Sequence, residues 1–213
     1  MRALILCDDP YHPGKIPESG LRAALPEAGF EVYTGNPAGK MQELSSYSAV
    51  FLCKSNKIAG AGGGDERIKW MGEAAEDALI RFVESGGGLM VLHAGITCYE
   101  DAGRYTEMAG GYFLSHPPAC PVEFLAQGPL AEGVQPFTET DEHYHLRLLA
   151  EDAEIFLTAR STHGSQPAGY LRRRGAGRIC VLTPGHTEAV WSNPAFQRLL
   201  QNAVRWLEGE GAN

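Results

Sequence analysis

An apolar run, Gly86-Gly87-Gly88-Leu89-Met90-Val91-Leu92, ends in His93 and is followed by Ala94-Gly95. This pattern is that of a buried parallel strand closing in a tight turn on small residues, an arrangement that lifts one side chain from the carboxyl edge of a sheet. Serine or cysteine at that point would argue for acyl transfer. An imidazole leaves general acid/base catalysis, metal ligation or simple binding.

Two other segments could share in that chemistry. Asp141-Glu142-His143-Tyr144-His145 reads as extended, which places Asp141, His143 and His145 on one face and Glu142 and Tyr144 on the other. The faces define rival sites: His143 and His145 have the spacing that presents two imidazoles to one metal, whereas Glu142 and Tyr144 offer a carboxylate and a phenol to a polar substrate. A polar loop with exposed histidines is the third reading. Thr183-Pro184-Gly185-His186-Thr187-Glu188 follows the apolar run 179–182, so His186 should share a crevice with His93 if their strands are near neighbours. His116, in Ser115-His116-Pro117-Pro118, is expected at the entrance. His12 and His163 read as surface-loop residues.

The elements that must position these groups alternate. Arg2 to Cys7 is a first buried strand stopping at Asp8-Asp9-Pro10. A helix over Ser19 to Ala28 is closed by Gly29, and strands follow at Glu31 to Thr34 and Ala49 to Cys53. Asp65 to Ser85 reads as a helix with an acidic first turn and Gly86 as its stop. After the strand Leu89 to His93 comes a short helix, Asp101 to Ala109. From Pro117 to Arg178 short strands with turn signals suit antiparallel additions at one edge. Ile179 to Leu182 returns to the buried parallel type, and Pro194 to Glu208 is an amphipathic helix. The sum is a doubly wound α/β sheet with an antiparallel edge insertion, in one domain over 1–213.

A formal charge of -8, from 18 Lys and Arg against 26 Asp and Glu, opposes binding to nucleic acid or to anionic membranes. The basic cluster Arg172-Arg173-Arg174 with Arg178 is expected to decorate a hairpin. Five scattered cysteines do not form a disulfide framework. No signal-peptide pattern and no bilayer-length apolar run is present, so a soluble cytoplasmic protein is expected. No nucleotide cofactor is expected either. Gly86-Gly87-Gly88 precedes its strand, and Gly60-Ala61-Gly62-Gly63-Gly64 is followed by Asp65 and Glu66, which repel a phosphate. The second cluster reads as a flexible loop, with a lid over the site as the other reading.

In order and spacing, Gly86 to His93, Gly110-Gly111-Tyr112-Phe113-Leu114-Ser115-His116-Pro117, Asp141 to Tyr144, and Gly175 to Arg178 running through Pro184-Gly185-His186 to Trp191 and Asn193 resemble the ThuA-like family. That family is named for trehalose utilisation and belongs to the class I glutamine amidotransferase-like superfamily. The resemblance covers nearly the whole chain. It implies a flavodoxin-like sheet with His93 at the elbow that holds cysteine in true amidotransferases, and His186-Thr187-Glu188 as the His-x-Glu of their triad. Without a thiol at the elbow there is no thioester route to glutamine hydrolysis, and the turn geometry does not favour Cys98 as a substitute. Sugar metabolism, of disaccharides and their oxidised derivatives, is what the family implies about substrate.

These residues together give an expected site at the carboxyl edge: His93, His186, Glu142 and Tyr144 catalytic, His116 at the rim, and Tyr99 and Trp191 lining the cleft. His93, Glu142 and His186 can hold a divalent metal, zinc first, with open positions for water and a sugar oxygen. Without metal, the same groups supply acid and base for hydrolysis or isomerisation of a carbohydrate, with Tyr144 donating a hydrogen bond. A carbohydrate-binding or regulatory protein using the pocket without turnover is the alternative. An exposed sheet edge is compatible with a homodimer.

Overall fold

A computed structural model of the protein describes residues 1–58 and 68–209. The order of elements is β1 (Arg2–Leu6), α1 (Lys15–Ala24), β2 (Gly29–Tyr33), β3 (Ala49–Leu52), α2 (Glu73–Glu84), β4 (Gly88–Leu92), α3 (Arg104–Ala109), β5 (Gly111–Ser115), β6 (Cys120–Ala126), β7 (Phe137–Asp141), β8 (His145–Leu148), β9 (Glu154–Ser161), β10 (Gly164–Arg174), β11 (Gly177–Leu182), α4 (Glu188–Ser192) and α5 (Pro194–Leu207).

The main sheet has nine strands in the order β2-β1-β3-β4-β11-β10-β9-β6-β7. The first five are parallel and the rest join antiparallel from β10 onward. The parallel part has the flavodoxin-like order, which opens a crevice at the carboxyl ends of its strands. Along β1, Ala3 and Ile5 face one apolar layer, which contains Leu21 of α1 and Phe196, Leu199 and Ala203 of α5. Leu4 and Leu6 face the other, which contains Leu79 and Phe82 of α2 and Tyr105 of α3. Burial on both faces is why these strands are apolar without alternation.

Several boundaries differ from the sequence expectation, each for a visible reason. The first helix runs over Lys15–Ala24, not 19–28, and Gly29 opens a strand. Pro17 is accommodated in the first turn, and Leu25, which precedes Pro26, has left the helical region at φ -132 and ψ 62. The second helix begins at Glu73. Just ahead of it, Trp70 Nε1 donates to Ser55 O and Met71 N to Asn56 Oδ1, tertiary bonds that hold these residues off the helical path. The glycine cluster 60–64 and the expected helix start at Asp65 lie outside the described residues. The third helix begins only at Arg104, behind an extended Gly103.

The run from Asp141 to His145 is not one strand, since β7 ends at Asp141 and β8 begins at His145. β8 pairs with β5 in a separate two-stranded sheet, so the antiparallel additions do not all join one edge. The arginine cluster does more than decorate a hairpin. Arg172 Nη1 donates to Glu107 O and Met108 O at the end of α3, Arg174 Nε to Glu84 at the end of α2, and Arg178 Nη1 to Trp206 O near the end of α5. Arg172 and Arg178 thus cap carbonyls at the ends of α3 and α5, and Arg174 pairs with the Glu84 carboxylate at the end of α2. Among the described residues, no helix is long and apolar enough to cross a membrane.

Candidate functional site

β4 ends at Leu92, and His93 leaves it with φ +44 to open a short 3-10 turn over His93–Ile96. This left-handed conformation is uncommon for a side-chain-bearing residue, and it aims the imidazole out of the sheet. Gly95 two residues on is required by contact, because a Cβ there would stand 2.1 Å from Leu52 O.

His93 is buried, and its Nδ1 lies 2.7 Å from Thr183 O. A carbonyl only accepts, so Nδ1 carries the proton and Nε2 is the working atom. That atom receives the Tyr144 hydroxyl at 3.0 Å and lies 3.4 Å from Glu142 Oε2. The two rings stack with centroids 4.5 Å apart.

β11 lies beside β4, which brings His186 to the same crevice, with its ring centroid 5.5 Å from that of His93. Its loop is held by Asp141, whose carboxylate accepts from Gly185 N at 2.8 Å and His186 N at 2.9 Å. Glu142 sits among three imidazoles: Oε2 is 3.4 Å from His186 Nδ1 as well as from His93 Nε2, and Oε1 is 3.6 Å from His116 Nε2. The carboxylate at His186 is therefore Glu142, and Glu188, the expected His-x-Glu partner, lies exposed in the first turn of α4.

His12 was expected on the surface and is instead part of the site. Its ring lies 5.0 Å from that of His93 and 5.5 Å from that of His186. The loop after β1 is bound by Asp9, which accepts from Tyr11 N, His12 N and His12 Nδ1 through Oδ1 and from Ser55 N at 2.7 Å through Oδ2. With Nδ1 turned to Asp9, Nε2 of His12 is directed elsewhere. Donor atoms of His12, His93, Glu142 and His186 all lie within 4.8 Å of one another.

Electrostatics follow from this packing. Burial pulls the His93 pKa down, but the Glu142 hydrogen bond, Asp141 and the Thr183 carbonyl outweigh it, and the net direction is up. Burial lowers His186, with His93 and His12 adding to it against Glu142, so it stays a neutral imidazole. Burial raises Glu142, yet His93, His186 and His116 bring it below the ordinary carboxylate value. Asp141 is raised by burial in spite of His93 and the amides of Gly185 and His186. Tyr144 is pushed well up, first by burial and then by Glu142 and Asp141, so it remains a hydroxyl donor.

The remaining expected residues are distributed differently. Trp191 is buried, donates Nε1 to Gly185 O, and with His12, His93 and His186 lines a cavity of about 10 Å³, room for one water or ion. Tyr99 lies in the core instead of the cleft, its hydroxyl donating to Lys54 O and its ring packed on Tyr105 and Trp70. His143 and His145 do pair, with ring centroids 5.4 Å apart, but His143 is tied to Ser161 Oγ and neither belongs to the donor set around Glu142. Cys98 holds a left-handed φ of +62, beyond the elbow.

A flavodoxin-like sheet with a histidine elbow and a carboxylate among imidazoles at its carboxyl edge is the class these observations define. The family model for ThuA, described as trehalose utilisation, matches residues 2–207, and the chain belongs to that family. Two solved ThuA-like proteins are similar at 17% identity. The one from Bacteroides uniformis has a TM-score of 0.73 and covers 100% of this chain and 93% of its own. The one from Parabacteroides merdae has a TM-score of 0.77, with 100% and 92% covered. A cold-adapted β-galactosidase from Rahnella sp. R3 aligns at 13% identity and a TM-score of 0.68 over 96% of this chain and 30% of that one. At these identities the likeness concerns the fold. No curated protein matches the chain.

Proposed function

We propose that the protein is an enzyme of trehalose or related disaccharide metabolism that hydrolyses or isomerises its substrate at the His/Glu site, with a divalent metal, zinc first, held by His93, Glu142 and His186 together with His12. The observation that carries this reading is Glu142 at 3.4 Å from both His93 and His186, with His12 closing the ring of donors.

The donor set fits a metal on three counts. Among the described residues His186 Nδ1 is buried with no hydrogen-bond partner, Glu142 Oε2 standing 3.4 Å away, and such an atom ordinarily has one. His12 and His93 each have Nδ1 turned to an oxygen, of Asp9 and Thr183, as ligating histidines do. Imidazoles with a carboxylate suit zinc. Tetrahedral bonds of about 2.1 Å set donors about 3.4 Å apart, so the widest separations here, up to 4.8 Å, would have to close by about 1.4 Å. Bound there, the metal would act as a Lewis acid toward a sugar oxygen or water.

The chain's own groups supply the rest. Tyr144 donates a hydrogen bond and Asp141 fixes the His186 loop; without a metal, Glu142 with His116 can take and return a proton at the cleft mouth. Glutamine amidotransfer is not part of the proposal, because the elbow carries no thiol. Family membership supports the carbohydrate context.

The test is elemental analysis of purified protein with and without chelation, beside assays on trehalose and its oxidised derivatives. One metal per chain, lost in His186→Ala and His12→Ala but kept in His143→Ala, is expected. Metal that depends on His143 and ignores His93 would overturn the assignment. A protein that binds sugar but turns over none of these substrates would be a binding protein on the same scaffold.

A further inference from the structure

Asp9 is a carboxylate with a fully buried side chain beside the donor set and outside it. Its Oδ1 accepts from Tyr11 N at 2.9 Å, His12 N at 3.1 Å and His12 Nδ1 at 2.9 Å, and its Oδ2 accepts from Ser55 N at 2.7 Å. Four N–H groups converge on two oxygens, so Asp9 is committed to the protein and is not itself a ligand. The segments that carry it are fixed as well. Asp9 and His12 exchange backbone hydrogen bonds at 3.2 and 3.3 Å, and Asp8 Oδ1 accepts from Gly14 N at 3.0 Å, which closes the loop after β1. Ser55, on the loop after β3, is held through its carbonyl, which accepts from Trp70 Nε1 at 3.0 Å.

The three imidazoles of the donor set are supported differently. His93 Nδ1 meets a neutral carbonyl, Thr183 O. His186 Nδ1 faces Glu142, itself a member of the set. Of these three, only His12 leans on a carboxylate from outside the set. A carboxylate accepts, so in the neutral imidazole Nδ1 of His12 carries the proton and Nε2 presents its lone pair. A charged acceptor also raises the basicity of the opposite nitrogen, and a ligand held by a rigid support has less freedom to lose on binding. Resting on the metal reading above, we propose that Asp9 is the positioning residue of that site: it fixes the tautomer and the ring of His12, and it acts on metal affinity through His12 alone.

The experiment is zinc titration of metal-stripped protein against a competing chromophoric chelator, for wild type, Asp9→Ala, His12→Ala, the double variant and Arg172→Ala. Asp9→Ala should bind zinc about 10- to 100-fold more weakly than wild type. In the His12→Ala background the same change should cost less than twofold, because the ring it positions is gone. Arg172→Ala lowers stability at a distance from the site and should keep zinc affinity within twofold, which separates positioning from a general loss of fold. Should Asp9→Ala fail to fold, Asp9→Asn takes its place in the same comparison, with a loss of about tenfold expected. Zinc affinity within threefold of wild type in the Asp9 variant, an equal loss with and without His12, or an equal loss in Arg172→Ala would each overturn the role of Asp9 while leaving the metal site standing. A wild type that binds no zinc would overturn the site, and the role with it.

Discussion

Replacing Asp9 by Asn tests the framework beneath the site. The Asp9 side chain is 0% exposed and its two oxygens take hydrogen bonds from two loops. Burial would raise its pKa, but the His12 hydrogen bond and charge and the amides of Ser55 and Tyr11 prevail, and it falls from 3.8 to about 2. A carboxylate depressed on folding adds stability that is full above its unfolded value and is lost as pH falls through the folded one. At 1.36 kcal/mol per pH unit, that drop is worth about 2 kcal/mol. Asn keeps one acceptor oxygen but turns an NH2 group toward a donor, so an amide is left without its partner at a further cost of about 1 kcal/mol. Urea unfolding in chelator should therefore show Asp9→Asn about 2 to 3 kcal/mol less stable than wild type at pH 7. The difference should narrow between pH 4 and pH 2, because the wild type loses its advantage there. A difference under about 0.5 kcal/mol at pH 7, or one that stays constant on acidification, would refute the reasoning.

Other expectations follow from single contacts. Tyr144→Phe removes the hydroxyl that reaches His93 Nε2 at 3.0 Å without metal; in chelator it should cost about 1 kcal/mol of stability by calorimetry, and in metal-loaded protein, where Nε2 is a ligand and the hydroxyl can meet substrate, about tenfold in turnover without loss of metal. Gly95→Ala drives a methyl to 2.1 Å from Leu52 O, and thermal unfolding should reveal a loss of about 3 kcal/mol or more. Arg172→Ala strips two carbonyls at the end of α3 of their donor; a loss of about 2 kcal/mol is expected by denaturant titration, with sugar binding unchanged. In chelator, His93→Asn, which tolerates the left-handed elbow, should flatten the pH dependence of stability on the alkaline side. A histidine raised on folding stabilises below its unfolded value of 6.5 and loses that contribution as pH climbs through the folded one.

His93 and His186 were legible because one ends an unbroken apolar run and the other stands in the loop just beyond one, and in a parallel sheet such ends gather at one edge. The same rule applied to Asp8-Asp9-Pro10-Tyr11-His12 after β1 would have found His12. The signal was present, but a lone histidine in a polar loop carries no periodicity to set it apart. Asp9 was hidden for a related reason, since its value lies in a bond to Ser55, 46 positions away. Tyr99 was misplaced because an aromatic residue beyond an elbow can turn to cleft or core, and packing against Tyr105 and Trp70 decides which. Glu188 followed a pattern in the chain, whereas the carboxylate that meets His186 comes from the loop after β7.

Local composition by itself determined the alternation of helix and strand, the tight turn on small residues after β4 and the kinds of groups available for chemistry, because hydrophobic period and turn residues act over a few positions. Tertiary structure alone decided which strands are neighbours, and hence that loops after β1, β4, β7 and β11 share one crevice. Strand pairing joins segments distant in the chain through backbone bonds that any residue can make, so little in the sequence of either strand names its partner.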